Sequence, residues 1–252
     1  MRNILIYFAY KYHGEYEKIL NAVKNKEGID SFELEKIKQN PPQAITILDD
    51  NYPEEFKSSF APPLVIFYKG DLSLLENNQK LAVIGSRTPT LYGVEATKKI
   101  LNELFKEKDT IIVSGMARGI DAVAHLLALE NNKKTIAILG CGIDYCYPHD
   151  NVDLKKRIEE KGLLLSEYPL DTKPKKEYFP LRNRLIASLV KGVLVTDAKN
   201  KSGTQITVRL ALEQGKDIFT IPHSIFDESF CNELLRQGAI PIIKGEDLLE
   251  FF

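Results

Sequence analysis

Between residues 173 and 184 the chain reads Lys-Pro-Lys-Lys-Glu-Tyr-Phe-Pro-Leu-Arg-Asn-Arg, five cations against one acid with two aromatic rings among them. Cations beside an exposed ring suit single-stranded nucleic acid. The lysines and arginines can neutralise phosphates, while a base stacked on a ring gains about 1–3 kcal/mol. A duplex offers no such free base face. The competing reading of the same residues is a solvated lysine loop with Phe179 tucked into the core. Two further loops carry groups that suit an anion. Gly85-Ser86-Arg87 closes the apolar run Leu81–Ile84, and reads either as a phosphate-gripping edge or as a plain turn. Lys201-Ser202-Gly203 leads into a helical pattern whose first N–H groups and dipole favour negative charge; the plain alternative is a helix cap with lysines in solvent.

Other chemistries lack their parts. His125 lies one helical turn after Asp121, and Ser114 is the only nucleophile near them in sequence, so His125 is expected to be buried, stapling its helix to a neighbouring loop. His13, His125, His149 and His223 are scattered, and Cys141, Cys146 and Cys231 do not fall at zinc-ligand spacing. The cysteines read as reduced thiols, and no metal or cofactor is expected. Gly140-Cys141-Gly142 lacks the third glycine of a dinucleotide fingerprint, Tyr145 standing there, and the strand Ile111–Ser114 ends in serine where an acid would bind a ribose. An NAD site is therefore disfavoured. The glycines of Ser114–Asp121 precede a helix and are expected to leave N–H groups open to an anion. No catalytic set emerges, which points to a binding protein rather than an enzyme.

The elements that must position these loops follow from periodicity. Short apolar runs at Leu81–Gly85, Thr110–Ser114, Thr135–Leu139, Leu163–Tyr168, Gly192–Thr196 and Asp217–Ile221, with a weak last one at Ile240–Ile243, read as buried strands. Helical spacing over Gly93–Lys108, Gly115–Asn131, Asn151–Lys161, Asn183–Val190, Thr204–Gln214 and Glu228–Gln237 alternates with most of them. Such alternation predicts an α/β fold with a doubly wound, mostly parallel Rossmann-like sheet. Short helices before Pro41-Pro42 and two strand candidates, Ala44–Leu48 and Leu64–Tyr68, predict a small N-terminal helical and edge-strand extension. The expected division is a helical region over 1–43 and a Rossmann-like domain over 44–252. Net charge is −1, so any anion site must be a local patch. No apolar run approaches the ~20 residues of a membrane helix, and Met1–Tyr12 lacks a signal-peptide cleavage pattern. A cytoplasmic protein without a membrane partner is expected.

Taken together, these motifs resemble the DNA-processing protein A family (DprA or Smf). The similarity is carried by Leu81–Arg87, Tyr92-Gly93, Ser114–His125, Ala137–Gly142 with Tyr147-Pro148, Ser166–Pro169, Phe179–Ile186 and Lys201-Ser202-Gly203, and spans roughly residues 44–245. It implies a non-enzymatic, homodimeric protein that binds and protects incoming single-stranded DNA and helps load the RecA recombinase during natural transformation. It also implies that Gly85, Ser86 and Arg87 line the DNA site, that Lys175 or Lys176 contacts the strand together with Phe179, and that Arg182, Arg184, Lys201, Ser202 and Gly203 meet phosphate. The sequence departs from the family at Asp197, where a glutamate is usual, at Pro222-His223, and at Ser229–Asn232, where Phe230 replaces a glycine. It ends at Phe252, so the winged-helix tail of many members is expected to be absent. The alternative function is that of a Rossmann-like nucleotide-processing enzyme similar to the phosphoribohydrolases. In such an enzyme Ser202-Gly203-Thr204 would seat a nucleotide, although Glu213 lies nearly three turns away from the usual acidic position.

Overall fold

The computed structural model describes residues 1–170, 172–200 and 202–252. Three short helices come first, α1 (Arg2–Lys11), α2 (Tyr16–Lys24) and α3 (Ser31–Gln39), followed by β1 (Ala44–Thr46), α4 (Glu54–Lys57) and β2 (Val65–Gly70). The repeating unit then runs β3 (Lys80–Ile84), α5 (Leu91–Glu107), β4 (Ile111–Ser114), α6 (Ile120–Glu130), β5 (Thr135–Leu139), α7 (Val152–Lys161) and β6 (Leu163–Ser166). It continues with α8 (Tyr178–Ser188), β7 (Gly192–Val195), α9 (Gly203–Glu213), β8 (Asp217–Thr220), α10 (Phe230–Arg236) and β9 (Ile240–Pro241).

The strands form one sheet in the order β1-β2-β6-β5-β4-β3-β7-β8-β9. From β6 through to β9 every neighbouring pair is parallel, and β2 and β1 add antiparallel to the edge of β6. The chain therefore leaves β3 toward β4, β5 and β6, and later returns to place β7 on the other edge of β3. Between β3 and β7 the winding direction reverses, and open α/β sheets take ligands in the crevice at the carboxyl ends of such a strand pair.

Strand side chains alternate between the two faces with a period of two. Ala82, Ile84, Val113, Val193 and Val195 pack with Leu185 and Ile186 of α8 and with Val208 and Ala211 of α9. Leu81, Val83, Ile112 and Leu194 face the other way, against Ile100, Leu101 and Leu104 of α5 and Ile120 of α6. Both faces are covered, which is why the strands read as near-continuous apolar runs. In the N-terminal region, Leu5, Phe8, Ile19 and Ile37 share a cluster with Val65, Phe67, Ala137 and Leu139 of the sheet. The helices before residue 43 thus bury their apolar stripes in a core they hold in common with β2 and β5.

Two helix starts differ from the sequence expectation. The helix expected over Asn183–Val190 begins at Tyr178, because Pro180 falls in its first turn, where the missing N–H would have had no intrahelical partner. The last five residues of the basic stretch that precede Asn183 are therefore helical rather than loop. In contrast, α6 starts at Ile120 rather than Gly115, since Met116 and Gly119 hold left-handed φ values of 54° and 76°. Among the described residues no helix is long and apolar enough to cross a membrane.

His125 is buried on α6, and its Nδ1 lies 2.6 Å from Thr135 Oγ1 at the start of β5. The Thr135 hydroxyl already donates to the carbonyl of Ile112, so Nδ1 must be the donor and the ring is the neutral Nδ1–H tautomer. It staples its helix to a strand rather than to a loop. Burial, with the charge of Arg182 adding to it, lowers its pKa to about 3. An unfolded chain titrates this ring near 6.5 and so takes up a proton that the native protein refuses. Its share of stability is present above that value and is lost progressively as pH falls toward the folded value, by up to about 1.4 kcal/mol per pH unit. Urea unfolding at about pH 7 and about pH 5 should show this decline in the wild type and a shallower one in His125→Asn, which keeps a donor near Thr135. Equal pH slopes in the two proteins would rule the assignment out.

Candidate functional site

A groove of about 650 Å³ opens at the carboxyl ends of β3 and β7. Its first wall is the loop after β3. A Cβ on Gly85 would stand 2.7 Å from Ile120 Cγ1 and 2.5 Å from the Asp197 carbonyl, so only glycine lets this loop lie against α6 and the turn after β7. Ser86 N–H donates to the Asp197 carbonyl at 2.6 Å, and the Ser86 carbonyl accepts from Ile120 N–H at 3.1 Å. The Asp197 carboxylate accepts from Thr90 N–H and Thr90 Oγ1 at 2.8 and 2.6 Å. Being buried, it braces the entry to α5, and the reach of an aspartate suffices for that. With the loop fixed at both ends, Arg87 is left exposed to the groove.

The second wall is the first turn of α8. Tyr178 stacks on Tyr168 beyond β6, with centroids 3.9 Å apart and planes 18° from parallel. This anchors the helix start, so that Phe179 comes down over Gly140, where a Cβ would lie 2.7 Å from its ring. The Gly140-x-Gly142 pair thus makes room for Phe179 and for the backbone around Leu170 and Thr172, not for a pyrophosphate. Phe179 is half-buried. The Arg87 guanidinium sits 5.7 Å from its ring centroid, and the Tyr147 ring lies 5.5 Å from it. A cation over an exposed ring is attracted by about 0.5–1 kcal/mol, which aligns Arg87 along the aromatic surface. Lys176 is exposed and lines the groove. Lys175 instead points to Glu15, 3.4 Å away, and over the Tyr178 ring. Of the two lysines named by the resemblance, Lys176 is the one placed in the groove.

Arg182 and Arg184, two residues apart on α8, face in different directions, as an i, i+2 spacing on a helix requires. Arg182 is buried beneath the groove floor, where it donates to the carbonyls of Gly115 (2.8 Å) and Ile138, and through Nε to Asn183 Oδ1 (3.0 Å). Burial holds its pKa below the ordinary arginine value, against the opposing charge of Asp121. Burial likewise raises the Asp121 carboxyl, with Arg182 and two backbone N–H groups opposing. Because Arg182 occupies Asn183 Oδ1, the Asn183 amide NH₂ is the group available to the groove it lines. Asn183 carries no signal in the sequence beyond its place between two arginines. Arg184, expected to meet phosphate, is turned away from the groove. It makes a bidentate pair with Glu167 at 2.6 and 2.7 Å and donates to the carbonyls of Phe60, Ala61 and Leu181. A guanidinium so engaged, with 5% of its side chain exposed, holds the fold together and has no hand left for phosphate.

The loop before α6, expected to leave N–H groups open to an anion, engages several of them internally. Gly115 and Ala117 N–H donate to Asp121 Oδ2 at 3.1 and 3.3 Å, and Ile120 N–H is taken by the Ser86 carbonyl, so these three N–H groups are already engaged within the protein. The start of α9 differs. Ser202 makes no side-chain cap bond, its Oγ has no partner among the described residues, and the space above Gly203 is open. Both line the groove, as does exposed Lys199. Lys201 lies outside the described residues. The structure therefore brings Gly85, Ser86, Arg87, Lys176, Phe179, Ser202 and Gly203 to one groove, puts Arg182 in its floor, and leaves Lys175 and Arg184 outside.

Comparison with known proteins gives a consistent result. Residues 43–252 match the family model described as DNA recombination-mediator protein A. DNA processing protein DprA of Streptococcus pneumoniae is 43% identical over 226 residues, covering 89% of this chain and 79% of the relative. Protein Smf of Synechocystis is 40% identical over 243 residues, covering 94% and 60%. The X-ray structure of the Streptococcus pneumoniae protein superposes with a TM-score of 0.82 at 41% identity, over 94% of this chain and 80% of that one. A structure of DNA processing protein A from Helicobacter pylori, described for its single-stranded DNA binding mode, gives 0.75 at 34% identity, over 83% and 95%.

Proposed function

The chain belongs to the DNA recombination-mediator protein A family, and we propose on that premise that its groove binds single-stranded DNA, largely without regard to sequence. The observation that carries this reading is the Arg87 guanidinium lying along the half-buried Phe179 ring, with exposed Lys176 beside it in the same groove. Phosphates meet the cations while a base lies on the ring. The bound strand is protected and passed on: the protein acts in the cytoplasm as a homodimeric, non-enzymatic mediator that helps load RecA onto strands taken up during natural transformation. The resemblance of its motifs and the names of its relatives support that role. A nucleotide-cleaving enzyme on this frame is less well served. Glu213 closes α9 at the end remote from the groove, about 15 Å along the helix axis, and pairs with Arg209.

The test is a fluorescence anisotropy titration with labelled oligothymidine and with a duplex of equal length. The single strand should bind at least about tenfold more tightly, as the loss of one stacked base would dictate, and its affinity should fall linearly with the logarithm of salt concentration. Equal affinity for the duplex would remove Phe179 from its assigned role.

A further inference from the structure

Beside the main groove lies a smaller hollow of about 50 Å³, lined by Gly115, Arg118, Gly140 and Tyr147 and sharing Arg87 and Phe179 with the groove. Tyr147 stands 42% exposed at the junction and lines both. Its ring lies 5.5 Å from that of Phe179, tilted by 43°. A base inserted between two rings needs about 7 Å between them, twice a van der Waals contact. Bases can therefore lie on the two rings in succession but not between them. At the mouth of the hollow, Arg118 is 62% exposed and its Nε pairs with Asp150, itself 65% exposed, at 2.7 Å. A surface pair of this kind contributes little and is readily exchanged for another anion. The two terminal nitrogens of Arg118 form a donor fork suited to a phosphate.

We propose that Tyr147 and Arg118 form a second nucleotide seat, with Tyr147 as the stacking surface for the base next to the one on Phe179 and Arg118 as the contact for its phosphate. The inference rests on the reading of the groove as a single-strand site and extends it: the site covers at least two consecutive nucleotides, and two neighbouring aromatic rings set their path. The hollow is too small to enclose a base, so the base lies on the outer face of Tyr147 and the hollow admits only the edge of it.

Anisotropy titrations of the full chain with oligothymidine test this. Tyr147→Leu should weaken binding by about tenfold, the value of one stacked base, whereas Tyr147→Phe should bind as the wild type does. Arg118→Ala should flatten the plot of log affinity against log salt by about 0.7, the signature of one lost single-strand phosphate contact. Wild-type affinity in Tyr147→Leu, or an unchanged salt slope in Arg118→Ala, overturns the second seat. Failure of the underlying reading has a different pattern: the wild-type protein would fail to bind oligothymidine, or Arg87→Ala would leave its affinity intact. If Arg87→Ala weakens binding while the Tyr147 and Arg118 variants do not, the groove stands and the second seat alone is wrong.

Discussion

Arg87→Ala is expected to lower affinity for oligothymidine by about thirtyfold, roughly 2 kcal/mol, the value of one charge-assisted hydrogen bond to phosphate together with part of a cation–π contact. The side chain is exposed and makes no ion pair among the described residues, while its backbone neighbours are held by Ser86 N–H and by the Asp197–Thr90 strut. Truncation at Cβ therefore removes the groove's central cation without loosening the loop, and folding stability should stay within about 0.5 kcal/mol of wild type. Arg87→Lys should recover part of the loss, since it keeps the charge but not the planar fork. Isothermal titration at two salt concentrations, with a thermal melt of each variant, measures both quantities. Unchanged affinity in Arg87→Ala would return Gly85-Ser86-Arg87 to a plain turn.

Glu167→Gln should be strongly destabilising. Its carboxylate and the Arg184 guanidinium are almost fully buried, with 8% and 5% of their side chains exposed. Burial alone would pull the arginine's pKa down, yet Glu167 holds it above the ordinary value. Removing one partner of a buried pair leaves the other charge uncompensated and costs about 3–5 kcal/mol. For a chain of this size that corresponds to a fall in Tm of roughly 10 °C. Arg184→Met should act similarly, and also frees the carbonyls of Phe60 and Ala61 that Arg184 holds. The double variant Glu167→Leu with Arg184→Met should regain much of the loss, because two apolar groups replace two charges. Below their melting temperatures all three should bind oligothymidine as the wild type does. Weakened binding with an unchanged Tm in Arg184→Met would put Arg184 back among the phosphate contacts.

These two residues mark how far the sequence could be read. The strands were legible because a parallel strand covered on both faces is a short apolar run, and runs such as Leu81–Ile84 and Thr135–Leu139 stop at glycines or polar residues where the loops begin. The groove loops were legible for the same reason, since they follow strand ends. The start of α8 was not, because proline, lysine and an aromatic pair give no helical periodicity, and the first turn is held by the stacking of Tyr178 on Tyr168 ten residues away.

By itself the sequence determined the order of strands and helices, the parallel sheet, and the concentration of cations and rings in a few loops at the strand ends. Those are properties of neighbouring residues, set by apolar periodicity and by the charge each side chain carries. Only the tertiary structure decided which of those charges faces the groove. Arg87 and Lys176 do, Lys175 turns to Glu15, Arg182 sinks under the floor, and Arg184 meets Glu167. The glycines divide in the same way, Gly140 giving space to Phe179 while the N–H of Gly115, ahead of α6, is taken by Asp121. The physical reason is that a cation's role depends on whether a carboxylate or carbonyl from elsewhere in the chain reaches it before solvent does, and for Arg184 two of those acceptors lie more than a hundred residues away, at Phe60 and Ala61.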